Sequence, residues 1–348
     1  MPIKKLPDFF SQFKSFISAI PQLKPEHSNA STADKISANA SLESHLKSYL
    51  DFYNINFTTD KVTSKNIARS HKIWQSQILG YRIVEQCWQP KQFNGQTLFI
   101  VHGYFEHTGL YQNIIFWSLQ NGYNVHVFDL PGHGLSSGKA ADIDSFNTYG
   151  NILTAIVKRE HCPNYSLLGQ STGGAVIINA LLSPTPAAQM LIPKNIILLS
   201  PLVRSRHWPQ IRWRYYLLRR FISSIKRSFP ASSHDHHFND FLKNGDPLQA
   251  QRLPLAWLGA MDDWIQQIAT FKKNTQQPCW LIQGTGDKTV DYKYNLIAIK
   301  RCLPQLKIEM IAGAAHNLIN ENDEYWQQVS ALLSKAHLNL PISNAINL

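Results

Sequence analysis

The pentapeptide Gly169-Gln170-Ser171-Thr172-Gly173 constrains the fold of this chain more than any other stretch. It follows the apolar run Tyr165-Ser166-Leu167-Leu168 and opens a small-residue, helix-compatible segment, Gly174-Ala175-Val176-Ile177-Ile178. A G-x-S-x-G pattern in that setting requires a strand that reverses sharply into a helix and lifts the serine out at the turn. The glycines answer the close approach of the flanking backbone, where Cβ atoms would clash. The helix that starts there points N–H donors and a positive dipole end at the serine. Five residues alone are a weak pattern, and the weight of this one comes from what surrounds it.

Short apolar runs recur along the chain: Tyr81 to Trp88, Thr97 to Val101, Asn124 to Leu130, Asn195 to Ser200, Cys279 to Gln283 and Lys307 to Ile311. Helical patterns fill most of the gaps, at 109–121, 144–160, 172–183, 292–303 and 322–337. This alternation predicts an α/β fold with a mostly parallel twisted sheet and helices on both faces. The core is expected over 61–203 and 276–340. Between them the alternation stops, and residues 204–275 are expected to form a helical, basic lid over the site.

Residues 1–60 read as an amphipathic helical appendage and linker. Leu6, Phe9, Phe10, Phe13, Phe16, Ile17 and Ile20 share one helix face, and Pro21 and Pro25 end that helix. A Ser/Asn/Ala-rich linker follows, then a second amphipathic segment from Leu42 to Tyr53. The first helix reads either as an interfacial anchor flanked by Lys4, Lys5, Lys14 and Lys24, or as a helix packed on the core or a partner chain.

Composition narrows the classes. Of 348 residues, 44% are apolar and only 16% charged, which excludes disorder as the main state. The formal net charge of +11 implies an anionic partner. Cys87, Cys162, Cys279 and Cys302 are scattered, so neither a disulfide framework nor a zinc site is expected. No apolar run reaches the ~18 residues of a membrane span, and the N-terminus lacks a secretory pattern, so the expected location is cytoplasmic. No G-x-G-x-x-G or P-loop opens a helix after a strand, and no cofactor is expected. Ser233-His234-Asp235-His236-His237 lacks ligand spacing on a helix and reads as a solvated loop, with no metal.

A serine hydroxyl needs a base to take its proton, and the base needs an acid to orient it. After Ser171 come Gly284-Thr285-Gly286-Asp287 and Gly313-Ala314-Ala315-His316, each just past an apolar run. Both residues fall where the site of an open α/β sheet lies, beyond the C-terminal strand ends. Ser171 is the candidate nucleophile, His316 the general base and acid, and Asp287 the orienting acid. Asp291, Asp262 and Asp263 are weaker candidates for the acid, and His102, His107 and His133 for the base. The backbone N–H groups of Thr172 and Tyr104 are the candidate oxyanion donors.

Several motifs stand together in order: His102-Gly103-Tyr104-Phe105-Glu106-His107, Asp129-Leu130-Pro131-Gly132-His133-Gly134, the elbow at Ser171, Gly284 to Asp287 and Ala312 to His316. On these the chain resembles the monoacylglycerol lipase and lysophospholipase branch of the α/β-hydrolases, often filed with serine aminopeptidases. The resemblance implies cleavage of a single-chain lipid ester through an acyl-enzyme. Acyl transfer to a lipid alcohol, aminopeptidase action and a non-catalytic membrane-surface scaffold stand as alternatives. Thr172 departs from the methionine usual in that branch. Tyr104 and Phe105 replace small residues, which bears on the shape of the acyl pocket.

The lid sequence is basic and aromatic together. Between Pro201 and Pro230 lie eight Arg and Lys residues with no acid, interleaved with Trp208, Trp213, Tyr215, Tyr216 and Phe221. That mixture suits an anionic lipid surface. Arg219, Arg220 and Trp213 are the candidate substrate or membrane contacts. Peripheral contact with an anionic inner membrane face is expected and nucleic acid is not; the oligomeric state cannot be read.

Overall fold

The computed structural model describes residues 16–22, 40–58, 67–183, 191–271 and 277–338. Expectations for residues 1–15, and for the linker up to residue 39 apart from 16–22, lie outside the described residues.

The strands are β1 (Ala68–Ile78), β2 (Tyr81–Pro90), β3 (Thr97–Val101), β4 (Asn124–Phe128), β5 (Tyr165–Gln170), β6 (Ile196–Leu199), β9 (Cys279–Gly284) and β10 (Lys307–Ile311). They form one eight-stranded sheet in the order β1-β2-β4-β3-β5-β6-β9-β10. β2 pairs antiparallel with β1 and β4, and every other pairing is parallel. The C-terminal ends of β3, β5, β6, β9 and β10 therefore share one edge. β3, β5, β6 and β9 are buried on both faces, and their side chains sort by alternation. Phe99 and Val101 of β3 join one core cluster while Leu98 and Ile100 join the other.

The helices are α1 (Ala40–Phe52), α2 (Gln112–Gln120), α3 (Phe146–Glu160), α4 (Thr172–Leu182), α8 (Tyr292–Cys302) and α9 (Asp323–Leu338). Side chains of α3, α4 and α8 build the first cluster, and those of α1, α2 and α9 the second. The sheet is thus covered on both faces. It is an α/β-hydrolase architecture, as the strand–helix alternation predicts.

One strand departs from the sequence reading, and the described N-terminal residues take the packed one of their two readings. β1 precedes the first expected strand. Its polar residues (Ser70, His71, Lys72, Gln75) fit a half-buried edge position, so no apolar run marks it. The described part of residues 1–60 is packed into the core. Phe16, Ile20, Tyr49, Ile55 and Phe57 are buried there, and the Gln75 side chain donates to the Ile20 carbonyl at 2.6 Å. No described helix is long and apolar enough to cross a membrane.

The stretch between β6 and β9 is not wholly helical. α5 (Trp208–Leu218), the short α6 (His236–Asp240) and α7 (Leu255–Thr270) are joined by a two-stranded ribbon of β7 (Ser224–Lys226) and β8 (Arg252–Pro254). The expected Ser233–His237 loop is half helix, capped by Asp235, whose side chain accepts the Phe238 N–H.

The sheet also carries a buried charge cluster. Glu85 of β2 accepts from both Arg159 guanidinium nitrogens, from His126 and from Ser76. Burial pushes its carboxyl up, but His126 and Arg159 outweigh burial and hold it below the usual range. Glu85, His126 and Glu160 lie close enough to suggest a metal site, yet the Arg159 guanidinium already bonds both carboxylates there. Glu85→Ala should destabilise the fold by about 3 kcal/mol in urea unfolding, the low end for breaking a buried pair, because Arg159 keeps some contact with water.

Candidate active site

Ser171 links β5 to α4 with φ 53° and ψ −113°, a conformation that L-residues rarely adopt. The crowding around it explains the flanking glycines. A Cβ on Gly173 would stand 1.9 Å from the Val101 carbonyl oxygen, and one on Gly169 would stand 2.5 Å from the Gly173 carbonyl carbon. Two hydrogen bonds hold the turn: Ser171 N–H donates to the Leu199 carbonyl, and Leu202 N–H donates to the Ser171 carbonyl.

Three sequence-distant groups meet at this edge. His316 Nε2 lies 2.9 Å from Ser171 Oγ, and His316 Nδ1 lies 2.7 Å from Asp287 Oδ2. Asp287 stands three residues past β9 and His316 five past β10. The Asp287 carboxylate also accepts the Thr289 and Val290 N–H groups and the Gln283 amide. The His316 loop is pinned on three sides. Gln170 donates to the His316 carbonyl, Ala315 N–H donates to Glu321, and Asn317 N–H donates to the Ser232 carbonyl.

The electrostatics follow from these contacts. Burial disfavours the His316 imidazolium, but Asp287, aided by Glu106, more than offsets this and raises its pKa above the ordinary value. Burial pushes the Asp287 carboxyl up, but His316 and the N–H donors hold it below the usual range. Chemically, such a relay can draw a proton from the serine hydroxyl and return it to a leaving group.

The other candidates are engaged elsewhere. Asp291 caps α8 and pairs with Arg204; Asp262 binds Arg212 and Tyr216. Asp263 is exposed on the lid helix. His102 Nε2 accepts the Leu130 N–H and its Nδ1 donates to the Gly103 carbonyl. His133 Nδ1 donates to the Pro131 carbonyl. His107 bonds Asp246, which also accepts from Tyr53 and Gln249. Burial drives His102 and His133 down to about 3, so both are neutral.

Ser171, Thr172, Tyr104 and His316 line a cavity of 470 Å³. Its walls are largely apolar, with Leu202, Ile211, Leu218, Leu258, Met261 and Val290. The Tyr104 ring stacks on Trp257 at 3.7 Å, and its hydroxyl donates to the Ala141 carbonyl. The side chain is thus a wall, and its backbone N–H is free to serve as a donor. Glu106 has no role assigned by sequence beyond its place in the His102–His107 motif. Its carboxylate accepts from Gly103 N–H, Tyr111 hydroxyl and Asn317, which ties the β3 loop to the His316 loop. The expected lid contacts lie elsewhere. Trp213 is 67% exposed, Arg219 and Arg220 are exposed, and none of the three lines this cavity. Arg214, Tyr215 and Arg227 of the lid do.

Residues 94–323 match the family model described as serine aminopeptidase, S33. The chain belongs to that family. It is similar to a monoglyceride lipase homolog of monkeypox virus, 26% identical over 70% of this chain and 89% of the relative. Rat monoglyceride lipase is 25% identical over 70% of this chain and 82% of its own length. Among solved structures, a soluble variant of monoglyceride lipase from Saccharomyces cerevisiae, in complex with a substrate analog, aligns with a TM-score of 0.65. That alignment covers 80% of this chain and 96% of the other at 17% identity, a likeness of fold. The chain is an α/β-hydrolase of the monoacylglycerol lipase branch.

Removing the Asp287 charge should lower the His316 pKa, since burial would remain while its main counterweight is lost. Asp287→Asn should shift the histidine titration, followed by NMR, from above pH 6.5 to below it. An unmoved midpoint would show that Asp287 does not set the charge of His316.

Proposed function

We propose that the chain hydrolyses carboxylic esters of single-chain lipids through an acyl-enzyme on Ser171. The observation that carries this reading is the continuous Asp287–His316–Ser171 hydrogen-bond chain at the wall of an apolar cavity. Ser171 Oγ attacks the ester carbonyl as His316 Nε2 takes its proton. The charge on the carbonyl oxygen is held by the N–H groups of Tyr104 and Thr172; one such donor is worth about 3 kcal/mol of barrier. His316 then protonates the departing glyceryl oxygen. Water enters, gives its proton to His316 and attacks the acyl carbon, and the fatty acid leaves with Ser171 restored. Asp287 fixes the imidazole tautomer and offsets the imidazolium charge. The apolar walls suit a single acyl chain, and the stacked Tyr104–Trp257 pair narrows the space beside the reacting carbon.

A fluorophosphonate probe should label the wild-type chain, and Ser171→Ala should abolish labelling. His316→Ala should lower kcat on a medium-chain p-nitrophenyl ester by about four to six orders of magnitude. A folded wild type that resists the probe would favour a binding scaffold instead.

The same reading extends to the outer face of the lid. Trp213, Leu217 and Phe221 are exposed there beside Arg219 and Arg220, a mixture that suits an anionic bilayer. The Arg219→Glu, Arg220→Glu double variant should sediment less with phosphatidylglycerol-containing vesicles at low salt. Equal sedimentation would exclude this face as the contact.

A further inference from the structure

The cavity that holds Ser171 also holds an arginine without an ionic partner. Arg227 follows β7, is half-buried, and lines the cavity with Tyr104, Phe105 and His316. Its guanidinium lies 3.8 Å over the Phe105 ring and 4.2 Å over Phe229. Both of its hydrogen bonds leave from Nη1, to the Gln249 side chain and the Ala250 carbonyl. Arg159, Arg204 and Arg212 each pair with a carboxylate, whereas Arg227 pairs with none among the described residues. Its Nε and Nη2 are left without a protein acceptor there. These two form the guanidinium edge with which Arg204 grips a single oxygen, Oδ2, of Asp291.

The lining offers that edge no carboxylate bonded to it among the described residues. Its one carboxyl side chain is Glu106, whose oxygens are taken by Gly103, Tyr111 and Asn317. Burial draws the Arg227 pKa down to about 10 despite raising contributions from Tyr104, Asp246 and Glu106. A cation taken out of water without a partner is costly, and a bound anion relieves that cost. A free guanidinium fork fits the oxygens of a phosphate in a bidentate manner. Placement ties the fork to the reacting centre: Arg227 packs on Phe105, which adjoins the oxyanion donor Tyr104. Arg214 adds a second, exposed cation to the lining.

We infer that Arg227 is a specificity residue that binds the headgroup phosphate of a single-chain phospholipid, so that a lysophospholipid is preferred to a neutral monoacylglycerol. This rests on the ester-hydrolase reading of Ser171. The phosphate sits at the Arg227 edge while the ester reaches Ser171 and the acyl chain fills the apolar part of the cavity.

Binding to the full-length Ser171→Ala chain separates recognition from turnover. By calorimetry, octyl phosphate should bind about tenfold or more tightly than octyl glycerol ether, and Arg227→Gln should remove that preference. Arg227→Lys, which keeps the charge and loses the fork, should retain part of it, and carries the test if Arg227→Gln does not fold. No phosphate preference, or one that Arg227→Gln leaves intact, overturns the proposal. Inorganic phosphate binding as tightly as octyl phosphate would also overturn it and assign the fork to a free anion. With Ser171 present, kcat/KM for 1-lauroyl-lysophosphatidylglycerol relative to 1-lauroylglycerol should fall by a similar factor in Arg227→Gln; an equal loss on both would mark Arg227 as structural. A chain that binds octyl phosphate through Arg227 but cleaves neither lipid would end the hydrolase reading and leave the anion site standing.

Discussion

The arrangement rests on backbone crowding where α4 begins against the end of β3. Gly173 lies so close to the Val101 carbonyl that any side chain there would force the two elements apart. That contact sets the separation between the serine turn and the loop leaving β3. Ser171 and the Tyr104 N–H are thereby positioned by main chain. The unusual torsions of Ser171 persist because its own N–H and carbonyl are fixed by Leu199 and Leu202. Strained residues survive in folded proteins only where the surroundings over-determine them in this way.

Parallel strands supply the remaining geometry. Six neighbouring parallel strands end on one edge, so loops far apart in sequence arrive within hydrogen-bond range of one another. The loops are then cross-linked independently of the relay. Gln170, one residue before Ser171, grips the main chain of His316. Glu106 grips Asn317, one residue after it. The imidazole is therefore held toward the serine from both sides of its own backbone, and the relay need not supply its own alignment.

The sequence was most legible where burial is total. β3, β5 and β9 are buried throughout and mostly apolar because both faces are covered, and the loops at their ends carry Ser171, Asp287 and the residues around them. Ser171, Asp287 and His316 stand out by their order in the chain and their places just past strand ends, and the structure brings the three together. β1 was illegible because an edge strand keeps polar residues such as Ser70, Lys72 and Gln75. The lid ribbon was illegible because its strands are three residues long. Composition marked the lid as basic and aromatic but could not say which side chains turn inward. Trp213, Arg219 and Arg220 face out, while Tyr215 and Arg227 reach the cavity. Helix phase and ribbon register decide that, and neither has a sharp sequence signal here. Glu106 had none: an acid beside His107 reads as a local ion pair, and its distant donor, Asn317, comes from the loop past β10.

The aspartate at the base of the lid gives the N-terminal segment a part in the catalytic domain. Asp246 accepts from Tyr53 and from His107 together, both buried, and the Tyr53 ring fills the space above Gly109. The family match begins only at residue 94, well after this tyrosine. A shortened protein cut at that boundary would lose β1, β2 and the aromatic plug over the second core face. It would also leave a buried carboxylate short of a donor beneath the lid. The folded unit around Ser171 is therefore larger than the region that matches the family model, and its extra part lies upstream.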